Sequence, residues 1–149
     1  MKILIVYDSI HGNTEKIAKA MADAIPGEVK VLHVNEVNSF ELKESNLIIV
    51  GSPTHGGRPM PSVQNFLNKA MLRESNGTNV AVFDTRLSTM LASIFGYAAG
   101  RIASSLKKKG GNLIAPPEGF FVKATKGPLK DGEVERAAIW AKEIIKGIK

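Results

Sequence analysis

Apolar residues recur along this chain in two alternating rhythms. Five short, nearly continuous apolar runs, residues 2–8, 29–34, 46–52, 79–84 and 112–122, read as strands. Runs such as Leu47-Ile48-Ile49-Val50 lack polar alternation, which suits strands covered on both faces. Between the runs, apolar positions fall at helical spacing. Ile17, Met21 and Ile25 align with Ala18 and Ala22. Val63, Phe66, Leu67, Ala70 and Met71 form a second stripe, and Ala99, Ile102, Ala103 and Leu106 a third. The last stripe joins Val134, Ala137, Ala138, Ala141, Ile144, Ile145 and Ile148, with Trp140 on its edge. A short, poorly patterned helix is expected around Ser39 to Lys43. Pro26-Gly27 and Gly110-Gly111 read as helix stops, and Ser62 as an N-cap. Pro116-Pro117 breaks the ladder of the fifth strand.

Strands alternating with helices imply a parallel sheet, helices on both faces and right-handed crossovers. Ligands of such sheets sit beyond the carboxyl ends of the strands, at the topological switch point. Function therefore belongs to the loops after strands one, three and four, residues 9–14, 52–61 and 85–97.

The length of 149 residues fits one domain spanning 1–149, and no apolar run approaches the roughly 18 residues of a membrane span. The N-terminus enters a strand at once without a leader pattern, which predicts a cytoplasmic protein. With no cysteine, disulfides, thiolate nucleophiles and Cys-ligated metals are excluded, so redox chemistry would need a bound cofactor. The net charge of +6 is uneven: residues 1–100 carry 9 basic and 9 acidic side chains, residues 101–149 carry 11 and 5. This excess reads either as a solvated lysine-rich surface or as a docking face for an acidic protein. No aromatic-studded basic stretch points to nucleic acid.

The first loop, Ser9-Ile10-His11-Gly12-Asn13-Thr14, sits between a strand and a helix. Unpaired N–H groups and the dipole at a helix N-terminus favour an anion there. Ser9, Asn13 and Thr14 add side-chain donors, and Gly12 permits a left-handed turn. The loop carries neither the Gly-Lys-Ser/Thr of a P-loop nor the spaced glycines of a dinucleotide fingerprint. The second, Ser52-Pro53-Thr54-His55-Gly56-Gly57-Arg58-Pro59-Met60-Pro61, frames two glycines with prolines, an arch on which a planar ring could lie. His55 has no neighbouring His or carboxylate to complete a metal site. The third runs from Asp84-Thr85-Arg86 to Phe95-Gly96-Tyr97, where an aromatic ring could stack on a cofactor.

Taken together, these loops resemble the flavodoxin family, in its short-chain form, over the whole length. Ser9-x-His11-Gly12-Asn13-Thr14 is similar to the family's Ser/Thr-x-Thr-Gly-Asn-Thr loop, and Ile49-Val50-Gly51-Ser52-Pro53-Thr54 to its third strand and following loop. The resemblance implies a flavodoxin-like three-layer α/β sandwich: a five-stranded parallel sheet of order 2-1-3-4-5. It further implies bound FMN and electron transfer between redox partner proteins. Ser9, Ile10, His11, Gly12, Asn13 and Thr14 would hold the phosphate. Pro53, Thr54, His55, Gly56 and Gly57 would border the isoalloxazine, and Thr85, Arg86, Phe95 and Tyr97 would cover its other side. A backbone peptide of the second loop turns toward the flavin in this family, and Gly56-Gly57 is the pair that turns without Cβ cost.

Three features depart from the family's pattern. His11 replaces a small hydroxyl residue, and a protonated imidazole would add charge for the phosphate, so binding is expected to weaken as pH rises. No aromatic stands in 52–61, leaving His55, Met60 or a proline to cover the ring. The basic charge differs from the acidic surface usual in the family and favours an acidic partner. Arg58 and Arg86 are expected near the ring, where a cation would raise the flavin's potential.

Two further functional readings stand beside the electron carrier: an NAD(P)H-dependent FMN quinone reductase, and a flavodoxin-like module without cofactor. A phosphoacceptor receiver is rejected because the third strand ends Gly51-Ser52 rather than in Asp, and a tyrosine phosphatase because there is no Cys.

Overall fold

The computed structural model describes residues 1–55, 57–70, 72, 77–88 and 97–148. Its strands are β1 (Lys2–Tyr7), β2 (Glu28–His33), β3 (Leu47–Pro53), β4 (Asn79–Leu87), β5 (Asn112–Leu113) and β6 (Glu118–Val122). Its helices are α1 (Asn13–Ala24), α2 (Ser39–Glu44), α3 (Pro61–Lys69), α4 (Ala98–Lys108) and α5 (Glu133–Lys146), with a 3₁₀ turn at Val34–Glu36. All ladders are parallel, in the order β2-β1-β3-β4-β5, and β6 also pairs with β4. The expected order 2-1-3-4-5 is therefore observed.

The apolar runs serve two layers at once because successive side chains on a strand point to opposite faces. Leu4, Val6, Ile48, Val50, Val80 and Val82 pack beneath α3 and α4. Ile3, Ile5, Leu47, Ile49, Ala81 and Phe83 pack beneath α1 and α5. Full burial of each such side chain is worth about 1.5–3 kcal/mol, enough for the layers to dictate the register. Gly51 faces Phe83 across the β3–β4 ladder, and the Phe83 ring occupies the space a Cβ on Gly51 would need.

Four local expectations are corrected. The fifth strand is two pieces: β5 pairs with the start of β4 and β6 with its end, the prolines between them donating no ladder bonds. Because β6 extends the ladder, β4 continues to Leu87, so Thr85 and Arg86 are strand residues rather than loop. Met60, not Ser62, is the N-cap of α3, with Pro61 in the first turn, where its missing N–H costs nothing. On α5, Trp140 is buried against Phe120 while Val134 is exposed, so the apolar face is rotated toward the indole. Among the described residues, no helix is long and apolar enough to cross a membrane.

Candidate functional site

The carboxyl ends of β1, β3 and β4 bring the three loops side by side. Loop one makes its turn at Gly12, φ 88°, the N-cap of α1, with nothing within 4 Å of where a Cβ would stand. Ser9 Oγ accepts the Gly12 N–H at 3.0 Å, which leaves its own O–H free to donate. Lys16 N–H reaches back to the Gly12 carbonyl. The N–H groups of Asn13, Thr14 and Glu15 meet no acceptor among the described residues, as expected for a first helical turn. This donor set fits a phosphate. Asn13 and Thr14 are buried, whereas Ile10 and His11 are exposed. Asn13 packs on Gly127, φ 99°, and its Nδ2 donates to the Lys126 carbonyl at 3.4 Å. The loop after β6 thus flanks the cradle, a neighbour that no sequence signal announced.

Asp8 lies directly under this loop, and both of its carboxylate oxygens are engaged. Its Oδ1 accepts the Ser9 N–H at 2.7 Å and lies 2.9 Å from His33 Nε2, and its Oδ2 accepts the Ser62 hydroxyl. Burial alone would raise the Asp8 pKa, but the hydrogen bonds from Ser62, Ser9 and His33 prevail and hold it below the usual carboxylate range. Ser62 is therefore bound to the end of β1 instead of capping α3. Beside it, Tyr7 Oη donates to Glu15 Oε2 at 2.5 Å. That bond, and then burial, pushes the Tyr7 phenol up to about 12, and the same bond lowers Glu15 against the opposing effect of burial.

Loop two is a two-residue hairpin. His55 N–H donates to the Arg58 carbonyl at 2.8 Å and Arg58 N–H to the His55 carbonyl at 3.1 Å. Gly57 at its tip has φ 78°, a value suited to glycine. Arg101, on the first turn of α4, donates Nε–H to the Gly57 carbonyl at 2.9 Å. Ser52 Oγ accepts the Met60 N–H and donates to the Pro53 carbonyl, closing the base of the loop. His55 is exposed, Pro59 is buried, and Met60 packs against the core under α3. Of the residues expected to cover the ring in place of an aromatic, His55 and Pro61 are exposed, and Pro61 is committed to the first turn of α3.

Thr85 joins loops one and two. Its hydroxyl is 2.8 Å from that of Thr14, and its carbonyl accepts the Thr54 N–H at 2.9 Å. Asp84, fully buried, is the hub of the third connection. It receives Arg86 Nε and Nη2 at 2.6 and 2.9 Å, the Thr54 hydroxyl at 3.0 Å and the Ala99 N–H at 3.0 Å. Thr54 Oγ1 in turn accepts the Ala98 N–H. The Arg86 guanidinium lies between the Tyr97 ring, 3.4 Å from its centroid, and the Gly119 backbone. Arg86, expected near the ring, has its charge neutralised by Asp84, on the same face two residues earlier. Gly56 and Phe95 lie outside the described residues.

A Flavodoxin domain model matches residues 4–94. The chain belongs to the flavodoxin family. It is 30% identical to a flavodoxin of Aquifex aeolicus, over 76% of this chain and 55% of that one. It is 28% identical to the coenzyme F420H2 oxidase of Methanocaldococcus jannaschii over 99% of this chain, which spans only 35% of that enzyme. An archaeal flavodoxin structure superposes with a TM-score of 0.80 at 26% identity, covering 98% of this chain and 97% of that one. Membership in the flavodoxin family supports a flavoprotein of electron transport in general terms.

Proposed function

We propose that this flavodoxin-family chain binds FMN in the crevice between the three loops and carries electrons between redox proteins. The observation that carries the reading is the first turn of α1: open N–H groups of Asn13, Thr14 and Glu15, the Ser9 hydroxyl and the left-handed Gly12 converge with no carboxylate turned among them. Bound there, the flavin would supply one-electron chemistry that no side chain of this protein can perform. Ser9, Gly12, Asn13 and Thr14 would hold the phosphate. Thr54, Gly57 and Tyr97 would border the ring, and His55 would shield its solvent side. Titration of FMN into the purified protein should quench flavin fluorescence at one equivalent, with a shifted visible spectrum that bleaches on stepwise reduction. Unquenched fluorescence, with no bound flavin after gel filtration, would overturn the reading.

The match to coenzyme F420H2 oxidase favours a second reading, an FMN-dependent reductase. Steady-state quinone reduction with NADPH separates the two: a carrier turns over little, whereas a reductase turns over without added partner protein.

A further inference from the structure

The basic excess of the chain divides between the two ends of the fold. α4 begins beside Thr54 and Asp84 at the carboxyl edge and runs 11 residues, about 16 Å, to the opposite edge. Lys107 and Lys108 therefore lie far from the crevice, and Lys109 Nζ caps the end of α3 by donating to the carbonyls of Asn68 and Ala70. Within the lysine run, Lys109 is structural, and Lys107 and Lys108 are exposed and peripheral.

The crevice has its own ring of cations. Arg58 is exposed at the tip of loop two, and Arg101 is bonded to the residue before it. Lys16 stands on the first turn of α1, and Lys126 and Lys130 on the loop that touches Asn13. All five are exposed, and among the described residues none has a carboxylate ion pair. Most acids of this edge are engaged: Glu15 with Tyr7 and Lys19, Asp131 with Lys123, Glu133 with Arg136, Asp84 with Arg86. Glu36 accepts the His33 N–H, and Glu135 remains. Exposed His11 and His55 add protonatable groups to the same rim.

We infer that this rim is the docking surface for an acidic redox protein, which takes or delivers the electron over the crevice mouth. The inference rests on the proposed electron-carrier reading for its purpose, though docking itself needs no flavin. A surface of one sign around the exit raises encounter rates with a partner of the opposite sign and does so less as salt screens it. A neutral partner would gain nothing from five cations that have no carboxylate ion pair among the described residues, and a basic one would be repelled.

The test uses oxidised rubredoxin, a small acidic iron protein, and cytochrome c, whose haem edge is basic, as acceptors from the reduced FMN-loaded protein in a stopped-flow instrument. Transfer to rubredoxin should slow about tenfold as ionic strength rises from about 0.02 to 0.3 M. Lys126→Glu/Lys130→Glu should slow it by a similar factor at low salt, while Lys107→Glu/Lys108→Glu, with the same net charge change, should alter it less than about twofold. A rate that is indifferent to salt, a preference for cytochrome c, or an equal effect of the distant pair would overturn the inference. Amide shift mapping with flavin-free protein and rubredoxin separates the two proposals. Salt-sensitive shifts at Arg58, Arg101, Lys126 and Lys130 support docking even if FMN fails to bind. Their absence, or equal shifts with a DNA duplex, sinks docking even if FMN binds.

Discussion

Replacing Asp84 by Ala should be among the most damaging single changes in this protein. The carboxylate is fully buried and receives four hydrogen bonds, two of them from an Arg86 whose side chain is only 14% exposed. Alanine would leave the guanidinium without its counter-charge, clamped between Tyr97 and Gly119, and would orphan the Ala99 N–H and the Thr54 hydroxyl. Breaking one partner of such a buried pair costs about 3–5 kcal/mol. Whole domains are stable by about 5–15 kcal/mol, so a fifth or more of the total is at stake. At this size each kcal/mol moves Tm by about 2–4 °C, giving a drop of about 6–20 °C. Urea unfolding followed by the fluorescence of Trp140, the single tryptophan, measures it directly. The reasoning further requires that Asp84→Ala/Arg86→Met be less damaging than the sum of its parts, because most of the single-mutant loss is the stranded cation. A single-mutant loss below about 1 kcal/mol, or strict additivity in the double mutant, would refute it.

Two more outcomes follow from other contacts. The Tyr7 phenol, raised to about 12 by its bond to Glu15, is neutral in the fold at pH values where an unfolded tyrosine, near 10, ionises. That bond's stabilisation is complete below pH about 10 and fades as pH climbs toward 12, so in a Tyr97→Phe protein the tyrosinate absorbance should rise near 12, and a midpoint near 10 would contradict the bond. Gly51→Ala drives a methyl into the Phe83 ring and should cost about 1–3 kcal/mol, partly recovered by adding Phe83→Leu; a cost under about 0.5 kcal/mol in denaturant unfolding would refute that packing.

The layers were readable because their signal is redundant. The central strands β1, β3 and β4 each carry four or more apolar residues and each long helix a stripe of similar size, so one ambiguous position changes nothing. Single-residue assignments had no such redundancy. Ser62 fits an N-cap by residue type, yet Asp8, 54 residues away, claims its hydroxyl, and Pro61 starts the helix one residue earlier. Trp140 and Val134 compete for one face of α5, and Phe120 decides in favour of the larger ring. In the site, the local part was legible: loop one turns at its glycine and presents its helix N-terminus. Asp84-x-Arg86 also held a usable signal, since alternate residues of a strand share a face, but ending β4 at residue 84 concealed it. The Arg101 bond to Gly57 and the Lys126–Gly127 wall behind Asn13 had none, because both join segments through a backbone group, which every residue carries.

Those unannounced contacts change what the site can do. Loop two is held by Thr85 through the Thr54 amide, by Asp84 and the start of α4 through the Thr54 hydroxyl, and by Arg101 through the Gly57 carbonyl. Loop one is held by Thr85 through Thr14 and by the β6 loop through Asn13. Each tie is made by the chain itself, so a ligand entering the crevice meets donors already oriented and does not bear the entropy of ordering them. The same ties divide the charges. Arg86 spends its guanidinium on Asp84 and works as a strut beneath Tyr97, while Arg58 and Arg101 are exposed and have no carboxylate ion pair among the described residues. Any electrostatic influence on a bound flavin or an approaching partner therefore comes from the rim and is open to screening by salt, whereas the buried pair below it sets shape.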